Sequence, residues 1–138
     1  MLLIPPRELA QFAVESVESA RNIAAASTVT SNVIDLSGPI TTVIVQLNVT
    51  AISGTTPTLA VSIEDTVDGT NWNKVFDVTN PTVNATGITV IRYNARADVT
   101  STSAPAKGPL ANRIRFKYTL AGTTPNTTFN VDAYFGRI

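Results

Sequence analysis

The stretch Thr42-Val-Ile-Val-Gln-Leu-Asn-Val-Thr-Ala51 decides the fold class. Val43, Val45, Leu47, Val49 and Ala51 alternate with Thr42, Ile44, Gln46, Asn48 and Thr50, a period of two that places one apolar set on a single face of a strand. Outward from it the same pattern returns. Leu59, Val61 and Ile63 alternate with Ala60, Ser62 and Glu64; Ile114, Phe116, Tyr118 and Leu120 with Arg113, Arg115, Lys117 and Thr119; Phe129, Val131, Ala133 and Phe135 with Asn130, Asp132 and Tyr134. One buried and one wet face per strand is the mark of antiparallel sheets. Less regular β-rich runs cover Val29–Leu36, Trp72–Val78 and Thr86–Tyr93. Turn residues separate them at Ser37-Gly38-Pro39, Ser53-Gly54, Asp68-Gly69, Asn80-Pro81 and Ala121-Gly122. The expectation is an all-β fold: an antiparallel two-sheet sandwich, jelly-roll-like, of about eight strands. Val45, Leu47, Val49, Val61, Ile63, Phe116, Tyr118, Phe129 and Val131 should point inward.

The first 26 residues differ. Leu9, Phe12, Ala13, Val17, Ala20 and Ala24 fall at helical spacing, with Gln11, Glu15, Glu18 and Arg21 opposite. Pro6 suits a first helical turn and Glu8 its dipole. Val14 breaks that pattern, and a strand over about 14–23 competes with the short helix. Before it, Met1-Leu-Leu-Ile-Pro-Pro6 reads as an extended arm, so residues 1–26 form the arm and first element and 27–138 the sandwich, within a single domain. One long loop runs from Val99 to Pro109.

The chemistry available is limited. The 138 residues include no Cys and no His, which removes disulfides, thiolate nucleophiles, and Ser-His and Cys-His catalysis. Ten basic and ten acidic residues cancel, and no Lys/Arg cluster provides a face for nucleic acid. Charged residues make up 14 %, against about 25 % in an average domain, so part of the surface is expected to be covered by a partner. No apolar run reaches the length of about 18 residues needed to span a membrane, and no secretory leader is expected. No cofactor or metal is implied. Asp65, Asp68 and Asn71 offer oxygens for calcium, but their spacing is not that of an EF-hand, and a tight turn at Asp68-Gly69 explains them. Glu64 and Asp65 are adjacent on a strand and point to opposite faces, so they form no acid/base pair. Gly54-Thr-Thr-Pro57 recurs as Gly122-Thr-Thr-Pro125. The pair reads either as two equivalent loop tips for a partner or as glycines supplying unusual backbone angles and prolines stiffening hairpin exits.

Three stretches in order, Val45-Gln-Leu-Asn-Val-Thr-Ala-Ile-Ser-Gly-Thr-Thr-Pro-Thr-Leu59, Ile63-Glu-Asp-Thr-Val-Asp-Gly-Thr-Asn-Trp72 and Arg113-Ile-Arg-Phe-Lys-Tyr-Thr-Leu-Ala-Gly-Thr-Thr-Pro125, resemble small virion proteins of tailed bacteriophages, including jelly-roll capsid cement (decoration) proteins. The resemblance covers about residues 28–136. It implies a non-enzymatic structural protein, made in the host bacterial cytoplasm and carried on the capsid surface of the virion. It implies the major capsid protein as partner, and a strand near 14–23. Asp68-Gly-Thr-Asn-Trp72 also looks like the Asp-Gly-x-x-Trp turn of discoidin-type sugar-binding sandwiches, with Trp72 as the platform. A tail or neck component is the third reading. A cement unit on a symmetric shell is expected to be a homo-oligomer, dimer ahead of trimer. The expected partner-binding residues are Leu2, Leu3, Ile4, Pro5, Pro6 and Arg7: three large apolar side chains held on a stiff extended backbone.

Overall fold

The computed structural model describes residues 13–36, 40–94 and 110–136, and among them every regular element is a strand. There are seven: β1 (Ala13–Ile23), β2 (Ser27–Thr30), β3 (Ile34–Asp35), β4 (Thr42–Thr66), β5 (Asn73–Asp77), β6 (Gly87–Asn94) and β7 (Arg113–Gly136). The arm Met1–Arg7, the Ser37–Pro39 turn and the Val99–Pro109 loop lie outside the described residues.

β4 and β7 are the frame. They pair antiparallel along their whole length, from Thr42 opposite Gly136 to Thr66 opposite Arg113. The apolar sets read from the sequence lie on one side of this ribbon, and all nine residues expected inward are 2 % exposed or less. A flat ribbon would leave that side in water. Instead it folds back on itself. The rings of Tyr118 and Phe129 lie 4.9 Å apart between centroids, although eleven residues of straight strand would separate them by about 36 Å. The crease is at the repeated motif. Thr55 pairs with Thr123, register shifts flank the pair, and Gly54, Thr56, Gly122 and Thr124 all have positive φ. Each glycine sits against the other motif's backbone. A Cβ on Gly54 would lie 2.8 Å from the Thr124 carbonyl oxygen and 2.9 Å from Pro125 Cα; one on Gly122 would lie 2.9 Å from the Thr56 oxygen and 3.0 Å from Pro57 Cα.

Two four-stranded layers result. In the front sheet β1 pairs with 127–135 of β7, which pairs with 42–52 of β4, which pairs with β6. In the back sheet β2 and β3 pair with 113–120 of β7, which pairs with 58–66 of β4, which pairs with β5. With β4 and β7 each counted as two segments and β2–β3 as one edge, this is the eight-position order of a jelly roll. The turn residues at Ser53-Gly54 and Ala121-Gly122 do not form hairpins as the sequence suggested. The strands run through them, and glycine serves to bend the ribbon and let its two halves approach.

The edges of the sandwich close in two ways. At one, Phe76 of β5 stacks on Tyr93 of β6 at 4.7 Å. At the other, Arg21 of β1 lies over the Tyr118 ring at 5.8 Å and bonds Glu18 at 3.0 Å. Between β2 and β3 the ladder is carried by Ser31, whose amide donates to the Phe116 carbonyl while its hydroxyl accepts the Phe116 amide.

The N-terminal element is a strand, and the helical alternative is overturned. The β7 edge at 127–135 needs a partner on the side away from β4, and pairing satisfies it whatever the local propensity. Two irregularities, between Ser16 and Glu18 and between Glu18 and Arg21, insert unpaired residues. Ala20 takes φ 49°, and its amide donates to the Asn130 side chain at 2.6 Å. Such bulges destroy the period of two and leave a spacing of three to four, which is why the segment mimics a helix.

Gly54→Ala or Gly122→Ala is expected to cost roughly 2–4 kcal/mol of stability, from backbone strain plus the clash, in a chemical melt. Gly87→Ala is the control: φ is +144° there, but nothing lies within 4 Å of the added carbon, so a clearly smaller loss is expected.

Candidate interaction surfaces

The two layers turn chemically different faces outward. On the back sheet the outward residues are mostly charged and pair with one another. Glu64 and Arg115 are direct cross-strand partners, with Arg115 Nε donating to Glu64 Oε1 at 2.9 Å, and Lys117 Nζ lies 3.8 Å from the other oxygen. Glu64 is only 7 % exposed, so the two cations compensate a carboxylate largely removed from water. The Arg115 guanidinium also stacks over Trp72 at 4.2 Å, covering one face of the indole. Arg113 faces Asp35 at 3.6 Å and Lys74 faces Asp77 at 3.2 Å.

Of the residues considered for calcium, Asp68 and Asn71 bond each other within the turn and Asp65 is engaged elsewhere. Asp68 Oδ1 accepts the amides of Thr70 (2.8 Å) and Asn71 (2.7 Å) and the Thr66 hydroxyl (3.1 Å), and its Oδ2 accepts the Asn71 side-chain amide at 2.7 Å. Those donors, the Asn71 amide first, hold the carboxyl well below the usual carboxylate range. Asp65 turns away and accepts the Ala111 amide at 3.0 Å, while Glu64 goes to Arg115. Among the described residues no three acidic side chains converge on a common point.

The front sheet carries apolar residues on both sides, mixed with polar ones on the outer. Its inner side is core. Outward, one row across the strands is Val14, Tyr134, Ile44 and Arg92, and the next is Ser16, Asp132, Gln46 and Val90, with Ile88 beyond. Val14 is 72 % exposed, Ile88 63 % and Val90 42 %. A shallow depression of about 280 Å³ is lined by Val14, Ile44, Val90 and Tyr134 together with the polar Gln46, Arg92 and Asp132. Loss of solvent around it pushes the Tyr134 phenol up from its ordinary value. This surface was not anticipated. Its only trace in the sequence is that Val14, Ile44, Ile88 and Val90 occupy positions where the alternation calls for polar residues.

Every described strand pairing is antiparallel, and the order of the two layers defines an eight-position jelly-roll sandwich. That fold occurs in a chain of the structure of infectious bursal disease virus, Gx strain (TM-score 0.56, 11 % identity, 92 % of this chain and 32 % of that one), and in the Gt strain structure (0.51, 11 %, 98 % and 35 %). The likeness is one of fold, and the present chain spans about a third of the length of those chains. A family 6 carbohydrate-binding module aligns more loosely, at a TM-score of 0.38, 12 % identity, and 92 % and 95 % coverage. No protein-family model and no curated protein matches the chain. Among the described residues no helix is long and apolar enough to cross a membrane.

Because its folded value is depressed, Asp68 contributes stability above the unfolded carboxyl value of about 3.9 and loses it as the pH falls through the folded value. Asp68→Asn should therefore lower the melting temperature at neutral pH, and the gap to wild type should narrow steadily below about pH 4.

Proposed function

We propose that this chain is a capsid cement, or decoration, protein that binds the outside of a tailed-phage head and stabilises contacts between major capsid protein subunits. The observation that carries the reading is the jelly roll itself, shared with a chain of a virus structure, taken with the phage-virion resemblance of residues 28–136. The role is structural and not enzymatic. The partners are the major capsid protein and further copies of this chain, and the site of action is the capsid surface.

Leu2, Leu3, Ile4, Pro5, Pro6 and Arg7 are the proposed shell contact. Fully burying each of the three large side chains contributes roughly 1.5–3 kcal/mol, against an ordering cost of about 1–2 kcal/mol per residue that proline lowers. One arm is weak, and many arms on one particle add up.

The test is co-sedimentation of purified chain with phage shells stripped of it. Full-length protein should bind and raise the shells' disruption temperature, and a form lacking residues 1–6 should melt nearly as before yet no longer bind. Failure of the full-length protein to bind any shell would remove the cement reading. A large loss of melting temperature with binding intact would assign the arm to its own fold. Binding should also survive about 0.5 M salt, where surface charge pairs are screened within a few ångströms.

A further inference from the structure

We propose that the outer face of the front sheet is a self-complementary interface through which two copies of this chain pair about a two-fold axis. The pairing does not depend on the cement reading.

The first ground is the contrast between the two layers. An antiparallel sheet with one side packed on a core normally turns polar residues outward, as the back sheet does. The front sheet instead presents a diagonal apolar band, Val14 on β1, Tyr134 and half-buried Ile44 at the centre, and Val90 and Ile88 on β6, among the polar residues of the same rows. A contiguous apolar patch of this kind marks an interaction site.

The second ground identifies the occupant. Arg21, Lys74, Arg113, Arg115 and Lys117 all have ion-pair partners. Arg92 is the described cation without one, and it lies on this face. Asp132 lies on the same face, also without an ion pair among the described residues. β6 and β7 flank β4, so the two charges stand two strand spacings apart, about 10 Å, and in adjacent rows. They do not meet within one molecule. In a two-fold contact, residue i of one copy meets residue j of the other and the converse holds at once. One positive and one negative charge on a single apolar patch are therefore what a second copy of the same patch neutralises. A partner of a different kind would have to carry the matching pair independently.

The size of the face sets the strength of the pairing. Four strands wide and eight registered residues long, from Thr42 opposite Asn94 to Val49 opposite Gly87, the face measures about 15 by 25 Å in plan. That is roughly 400 Å² per copy, below the about 800 Å² per partner of a standard interface, so the pairing is expected to be weak and reversible.

The test is sedimentation velocity of the full chain from low micromolar to several hundred micromolar, with circular dichroism and melting confirming that each variant folds. Wild type should dimerise. R92D and D132R should each weaken association roughly tenfold or more by setting like charges together. A 1:1 mixture of the two should recover wild-type affinity as a heterodimer, and so should the R92D/D132R double variant. I88D should abolish pairing. A wild type that stays monomeric throughout, or a dimer that tolerates I88D, would overturn the proposal. Weakened single variants that fail to recover on mixing would overturn the two-fold arrangement. A monomer whose shell binding is lost in I88D would give the face to the shell.

Discussion

The mutual seating of Gly54 and Gly122 is the constraint on which the rest of the molecule depends. Each lies within 3.0 Å, measured from where a Cβ would stand, of the other motif's backbone, and each takes a φ that a side chain would strain. This lets two paired strands bend together at one level with only local register shifts in the ladder between them. The apolar side of the ribbon then closes on itself, and a single hydrogen-bonded unit supplies the centre of both layers. Loss of the bend would leave Leu47, Val49, Phe116, Tyr118 and Phe129 facing water.

The remaining strands follow from that frame. β1 and β6 satisfy the two free edges of one half of the ribbon, and β2–β3 and β5 those of the other. Where a strand falls short, side chains complete the ladder. Ser31 bonds the Phe116 amide, and the Thr79 hydroxyl accepts the Val61 amide at 2.9 Å in the interior. This removes most unpaired edge, the standing liability of a β protein. It also frees the two outer faces to differ: the back sheet neutralises its own charges, whereas the front sheet leaves apolar side chains and two unmatched charges in contact with solvent.

Core assignment was legible because alternation depends on nothing beyond the strand itself. The nine residues expected inward are all buried. The Asp68-Gly69 turn was legible for the same local reason, since an Asp that caps the amides two and three residues on needs no distant partner. The N-terminal strand was ambiguous because its bulges erase the period. The repeated Gly-Thr-Thr-Pro was half legible: its glycines do supply unusual backbone angles, but a hairpin and a crease use the same residues, and what separates them is whether the opposing strand continues.

By itself, the sequence determined the strand-forming segments, the side of each that turns from water, and the absence of His and Cys chemistry. These follow from residue type and from a period of two. The tertiary structure alone decided that the two Gly-Thr-Thr-Pro motifs lie against each other, although 68 positions separate them in the chain. It alone brought Val14, Ile44, Val90, Arg92 and Asp132 onto one face, because a surface made from four strands exists only once their order and register are set.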